Sequence, residues 1–135
     1  MAWTTPRTWA ASETVTASMM NQHVRDNLIT VGTRVWTYSY ITNFPVASII
    51  IGRAPEDGTV TAIYAYRAGG TSCSIDGEID GTDITSSAIA TSDGSWVSGT
   101  VSAGSVVAGD SIAAAITAVS GTPTVVCLQI EIQLG

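Results

Sequence analysis

The sequence contains no lysine and a single histidine, His23. Its other basic side chains are five scattered arginines, Arg7, Arg25, Arg34, Arg53 and Arg67, against eleven acids, for a net charge of −6. Charged residues are 12% of the 135, about half the usual share. These shortages exclude classes of partner. A nucleic-acid binder displaces counterions with a basic stripe, and five dispersed arginines make none. An anionic membrane surface is disfavoured on the same ground. No apolar run approaches the ~20 residues of a membrane span, so no membrane insertion is expected. The opening MAWTTPRTWA lacks a charged segment followed by an apolar one, so no secretory signal is expected.

Chemistry is equally short of tools. One His and no Lys leave little for general acid–base catalysis. There is no GxSxG elbow and no phosphate-binding loop. A catalytic triad would have to recruit His23 from an N-terminal helix. The expectation is a protein that is not an enzyme and needs no cofactor. Cys73 and Cys127 lie far apart, in no CxxC or Cys/His spacing, so zinc is not expected. They read as two small buried thiols; a disulfide requires that their strands be neighbours.

What is abundant is hydrophobic residues, at 45%, with 19 Thr and 15 Ser. Low charge with that apolar content means a folded chain, not a disordered one. The length is one domain's worth of core. Little charge remains to hold copies apart, so the surface is expected to be hydroxyl-rich or covered by other subunits.

Three zones follow one another. Residues 1–11 are an arm in which Trp3 and Trp9 have no local core, so another chain is expected to bury them. Residues 16–34 read as the one helix, with Thr16 as N-cap. Met20, Val24, Asn27 or Leu28, and Val31 form its apolar stripe, and Gly32 weakens its end. Asn27 falls on the 3.5-residue seam, where a buried polar residue fixes register and oligomer number. From Val35 the period becomes two. Strands are predicted at 35–41, 46–51, 59–67, 72–79, 84–90, 95–102, 111–118 and 123–134. The fold is therefore expected to be mainly β: an anchor arm and helix over 1–34, then an eight-stranded antiparallel, jelly-roll-like β-sandwich over 35–135. Asp57-Gly58, Asp76-Gly77, Asp80-Gly81 and Asp93-Gly94 read as hairpin turns. Within 59–67, Val60, Ala62, Tyr64 and Tyr66 are expected on one face and Thr61, Ile63, Ala65 and Arg67 on the other.

Two constellations could carry a ligand. Asp76, Glu78 and Asp80 alternate, so all three carboxylates are expected on one solvated strand face. With Gly81 they imitate the start of a calcium loop. Ser87 stands at the twelfth position, where a bidentate Glu is required, so no metal is assigned. Tyr38 with Tyr40, Tyr64 with Tyr66, and Trp96 read either as cross-strand pairs or as a stacking platform for a sugar ring.

The segment Thr8-Trp9-Ala10-Ala11-Ser12-Glu13-Thr14-Val15-Thr16-Ala17-Ser18-Met19-Met20-Asn21-Gln22-His23-Val24-Arg25-Asp26-Asn27-Leu28 resembles the opening of many tailed-bacteriophage virion proteins of the decoration, head-fibre, minor-tail and tail-fibre types. It departs from them at Ser12, where a Gly commonly precedes the Glu, and at Met19-Met20, where an Ala/Leu pair is usual. Ile79-Asp80-Gly81-Thr82-Asp83-Ile84 and Val107-Ala108-Gly109-Asp110-Ser111-Ile112 are similar to segments of the small sandwich heads of such proteins. The resemblance implies a virion location, a homotrimer, and major capsid or tail proteins as partners. The chain has no repeats of the kind a fibre shaft needs. One helix and one head suit a capsid decoration protein or short head fibre. The alternative is a small tail or tail-fibre protein whose sandwich binds a host-surface carbohydrate.

Overall fold

β-Branched and aromatic residues alternate with polar ones beyond Gly32, a pattern that fits a half-buried pleated surface. The computed structural model describes residues 8, 10–14, 16–21, the backbone of 33–40, and 45–135. Trp3, Trp9, Val24, Asn27, Leu28 and Val31 lie outside the described residues, as does His23. The strands are β1 (Thr33–Tyr40), β2 (Ala47–Arg53), β3 (Gly58–Gly69), β4 (Ser72–Ile79), β5 (Thr82–Asp83), β6 (Ile89–Ala90), β7 (Trp96–Ser98), β8 (Ser105–Val106), β9 (Ser111–Ser120) and β10 (Pro123–Leu134). One sheet has the order β1-β10-β3-β7, with β8 also on β3; the other has β2-β9-β4-β5, with β6 also on β4. Every pairing between these strands is antiparallel.

The pairs nest. β1 pairs with β10 and β2 with β9; β3 takes β7 and β8, and β4 takes β5 and β6. That is one long hairpin rolled so that successive rungs fall alternately in two sheets, the jelly-roll form of a β-sandwich. The expected fold class is the one observed. β1 begins opposite Gln133, so the N-terminal segment enters at the end of the sandwich where the chain finishes. This is the entry end. The turns after β3 and β9 form the far end.

Some boundaries differ from expectation. Among the described residues the helix is α1 (Ala17–Met20), whose N-cap Thr16 accepts the Met19 N–H through Oγ1 at 3.3 Å; residues 22–32 of the predicted helix lie outside the described residues. Thr33 and Arg34 already belong to β1, because β-branched and aromatic alternation takes over directly after Gly32. The strand predicted at 84–90 is reduced to β6, with the unpredicted β5 just before it, and that at 95–102 to β7. The backbone between them bonds across loops instead: the Ser102 and Ala103 N–H groups both donate to the Ile84 carbonyl, at 2.8 and 3.0 Å.

One face and one turn assignment are corrected. β3 carries a bulge, with Glu131 opposite Ala62 and Ile132 opposite Val60. Thr61 is the extra residue, so Val60 turns inward with Ile63 and Ala65 instead of lying beside the tyrosines. Asp76-Gly77 is not a turn but the middle of β4, where Gly77 faces the core. A Cβ there would stand 2.8 Å from Ile84 Cδ1, 2.9 Å from Ile130 Cδ1 and 3.0 Å from Ile63 Cδ1. The absent side chain is what lets three isoleucines meet over the strand. Asp80-Gly81 is a turn as expected, with φ of 48° and 77°, the pair of positive values a type I′ hairpin requires.

The core between the sheets is aliphatic. Ile63, Ile75, Ile84, Ile112, Leu128, Ile130 and Ile132 are each at most 1% exposed. Cys73 is buried on β4, and Cys127 lies on β10 in the other sheet. Their strands belong to different sheets and do not pair.

Two glycines should respond oppositely to the same substitution. Gly77→Ala is expected to cost about 1–3 kcal/mol through overpacking. Gly52→Ala, in β2 with nothing within 4 Å of its Cβ position, is expected to be neutral or to stabilise by about 0.4–1 kcal/mol. Urea denaturation of the two variants checks the sign of each.

Candidate functional site

The acidic triplet is not a single solvated face. Asp76 is 1% exposed, Glu78 is half-buried, and Asp80 is exposed in the turn after β4. Each has its own partner. Glu78 Oε2 accepts from Ser48 Oγ across β9. The Asp80 backbone N–H donates to the Ser111 carbonyl, and its Oδ1 accepts the Ser111 N–H at 2.7 Å. Asp76 is buried because the chain after β5 lays Thr85 against it. Thr85 Oγ1 lies 2.6 Å from Asp76 Oδ2, and Oδ1 accepts the N–H groups of Gly77 at 2.7 Å and Thr85 at 3.3 Å. Among the described residues no group of three or more acidic, Cys or His side chains is arranged to hold a metal ion.

The Thr85 hydroxyl is shared: its Oγ1 lies within donating distance of Asp76 Oδ2, at 2.6 Å, and of the Ser87 carbonyl, at 2.7 Å. Burial pushes the Asp76 pKa above the ordinary 3.8. Hydrogen bonds from Thr85 and Gly77 oppose the shift, and nearby Asp83 adds to it.

The aromatics divide into two sets. In register, Tyr38 pairs with Leu128 and Tyr40 with Val126, whereas Tyr64 pairs with Gln129 and Tyr66 with Cys127. Successive positions along β10 alternate between faces, so the two tyrosine pairs hold rows of opposite parity. Trp96 joins the second set. It pairs with Tyr66 across β3 and β7, with ring centroids 5.4 Å apart and planes at 43°. Tyr66 is half-buried and Trp96 is 51% exposed. Tyr66 stands eight residues along β3 from Gly58, which places the pair roughly 25 Å from the entry end. Met20, the described member of the helix stripe, is exposed on α1.

Sequence reading missed Arg67, and with it the construction of the far end. Arg67 is 5% exposed. Its Nη1 donates to the carbonyls of Gly69 and Gly70 and lies 4.0 Å from Asp93 Oδ1. Its Nε has no hydrogen-bond partner among the described residues. The Arg67 carbonyl accepts the Gly94 N–H at 2.8 Å, and Asp93 Oδ1 accepts the Gly69 N–H at 2.8 Å. The Ser92–Ser95 turn preceding Trp96 is thereby pinned to the end of β3. Period-two alternation with Ile63 and Ala65 was the available signal that Arg67 points inward.

The entry end is held by acids. Asp57 Oδ1 accepts the Ala108 N–H and Asp110 Oδ2 the Val107 N–H, both at 2.8 Å. A groove of about 460 Å³ opens there beside Asp80, Ser102–Ser105 and Asp110. A second, of about 250 Å³, runs between β6 and β7 and is lined by Ser86, Ser87, Ser98 and Thr100 among others.

No protein family's sequence profile matches the chain. No curated protein matches it either. Among solved structures it is similar to a chain of the cyanophage Pam1 capsid asymmetric unit, at 12% identity and a TM-score of 0.40. That likeness covers 76% of this chain and 85% of the other, and at that score it decides nothing about role.

The Asp76 arrangement has a measurable consequence. With a raised pKa the folded state holds a proton that the unfolded chain has released. The stabilisation is therefore complete below pH 3.8 and lost as pH rises through the folded value. Asp76→Asn supplies a permanent donor to Thr85. It is expected to match wild type in acid and to equal or exceed it at pH 7, whereas Asp76→Ala is expected to cost about 1–3 kcal/mol at both. Denaturation curves between pH 3 and pH 8 test this; parallel wild-type and Asn profiles would refute it.

Proposed function

We propose that the chain is a non-enzymatic structural protein of a tailed-phage particle, of the capsid-decoration or short head-fibre type. Its N-terminal arm and helix hold it to the virion, and its sandwich is displayed as a homotrimer. The observation that carries this reading is the backbone of the segment that resembles phage virion proteins. Ser12 has a φ of 66°, a conformation glycine adopts at little cost. Ser12 stands where those proteins commonly carry Gly. The turn around it is closed by the Glu13 N–H to the Ala10 carbonyl at 3.2 Å and the Ala10 N–H to Glu13 Oε2 at 3.1 Å. Thr16 then caps α1. The departure from the pattern thus falls on a position whose geometry explains the pattern.

Topology supports the division of labour. Residues 1–32 precede β1, and none of the described ones among them belongs to a strand of the sandwich. They join it at the entry end, which leaves the far end for display. Association of copies is supported by the exposed apolar side chains Val46 and Ile50, 63% and 71% exposed, at and beside the edge strand β2. An edge strand with such side chains and no lysine is poorly protected against pairing.

Immunogold labelling of particles of the encoding phage tests attachment, with labelled particles expected for the full chain. A chain lacking residues 1–32 should keep the β-sheet circular dichroism of the sandwich and be missing from particles. Retention at the full chain's copy number would remove the anchor from the reading. Light scattering at micromolar concentration should give three times the 13.9 kDa chain mass; a monomer mass would count against the trimer.

A further inference from the structure

Trp96 is a large apolar ring left half in water on a strand of three residues. It is nonetheless held firmly. Tyr66 supports it from the neighbouring strand, and the turn before it closes through a Ser92–Ser95 bridge with Gly94 at a φ of 69°. That turn is docked onto the Arg67 backbone and Asp93 is docked onto Gly69. Burying Arg67 with one N–H unpartnered costs stability, and what the arrangement fixes is the tip that carries Trp96. An exposed ring held in one orientation loses little freedom when something stacks on it.

The surroundings define what that something is. A pyranose presents a patch of C–H bonds on one face and hydroxyls at its rim. The indole supplies a surface for the first. Asp93, with a side chain 65% exposed, supplies an acceptor for the second: Gly69 uses Oδ1, and Oδ2 has no hydrogen-bond partner among the described residues. The exposed Ser95 and Ser98 hydroxyls add both donors and acceptors. Charge then narrows the class. Residues 45–135 contain nine acids and two arginines, one of them the buried Arg67. A uronic or sialic acid brought beside Asp93 would meet repulsion.

We propose that Trp96, backed by Tyr66 and flanked by Asp93, is a binding platform for a neutral pyranose oligosaccharide. The platform is complete within one chain and does not depend on virion attachment. Tyr38 and Tyr40 are not part of it.

Saturation-transfer NMR on the full chain, with maltotriose, mannotriose, chitotriose and trigalacturonate as probes, tests the proposal. Transfer is expected to at least one neutral trisaccharide and not to trigalacturonate. Trp96→Ala should weaken that binding about tenfold or more. Val107→Ser, which removes an exposed apolar side chain at the entry end, should leave it unchanged. If Trp96→Ala fails to fold, Trp96→Phe takes its place and should bind more weakly than wild type. Silence from all three neutral sugars, equal transfer to trigalacturonate, or binding indifferent to residue 96 would each overturn the proposal. So would a fall in assembly mass on light scattering of Trp96→Ala, because the ring would then be a contact between copies.

Discussion

The sandwich depends on how closely its two sheets approach at Ile63. This one side chain lies over two glycines. A Cβ on Gly77 would come within 3.0 Å of its Cδ1, and one on Gly99 within 3.0 Å of its Cγ2. Isoleucine packed onto bare backbone leaves no room for adjustment, since its branched Cβ restricts χ1 and interiors are filled at crystal density. The position of Ile63 then propagates. It fixes which face of β3 is inward, and so sends Tyr64 and Tyr66 outward. Tyr66 in turn meets Trp96 through the β3–β7 register. The exposed aromatic pair is thus the outer consequence of an inner contact.

The strands were legible because lateral pairing leaves a simple mark. The limits of β4 and β10 follow directly from alternation and bounding turns, and both are met in the structure. What escaped was set by a partner distant in sequence. Asp76-Gly77 is a good local turn signal, but Gly77 answers to Ile63, Ile84 and Ile130, and tertiary packing overrides a dipeptide preference. The Thr61 bulge is visible only against β10. The helical period extrapolated two residues into β1 because periodicity marks a boundary only loosely.

The two buried ionisable side chains, Asp76 and Arg67, solve the same problem differently. Asp76 is provided with donors from its own strand and from Thr85, and it can give up its charge by taking a proton. Arg67 cannot lose its proton. It reaches the carbonyls at the end of β3 with Nη1 and leaves Nε unmatched. The face of Arg67 was legible from its alternation with Ile63 and Ala65, but the cover of either residue was not, because a charged residue in an alternating strand predicts a face and not what covers that face. The chain after β5 supplies the cover for Asp76, and the Gly69–Gly70 turn supplies the acceptors for Arg67.

The two ends of the sandwich are consequently built from opposite materials. At the entry end, Asp57, Asp80 and Asp110 each spend an oxygen on a backbone N–H of a facing loop or strand. Carboxylates committed in this way act as loop staples at this end of the sandwich. At the far end the roles reverse, and a cation gathers backbone carbonyls. There the glycines at 69, 70, 94 and 121 all take positive φ, so the chain turns tightly. Trp96, 51% exposed and packed against Tyr66, is the large apolar side chain that projects beside these turns, whereas the entry end is held by carboxylates.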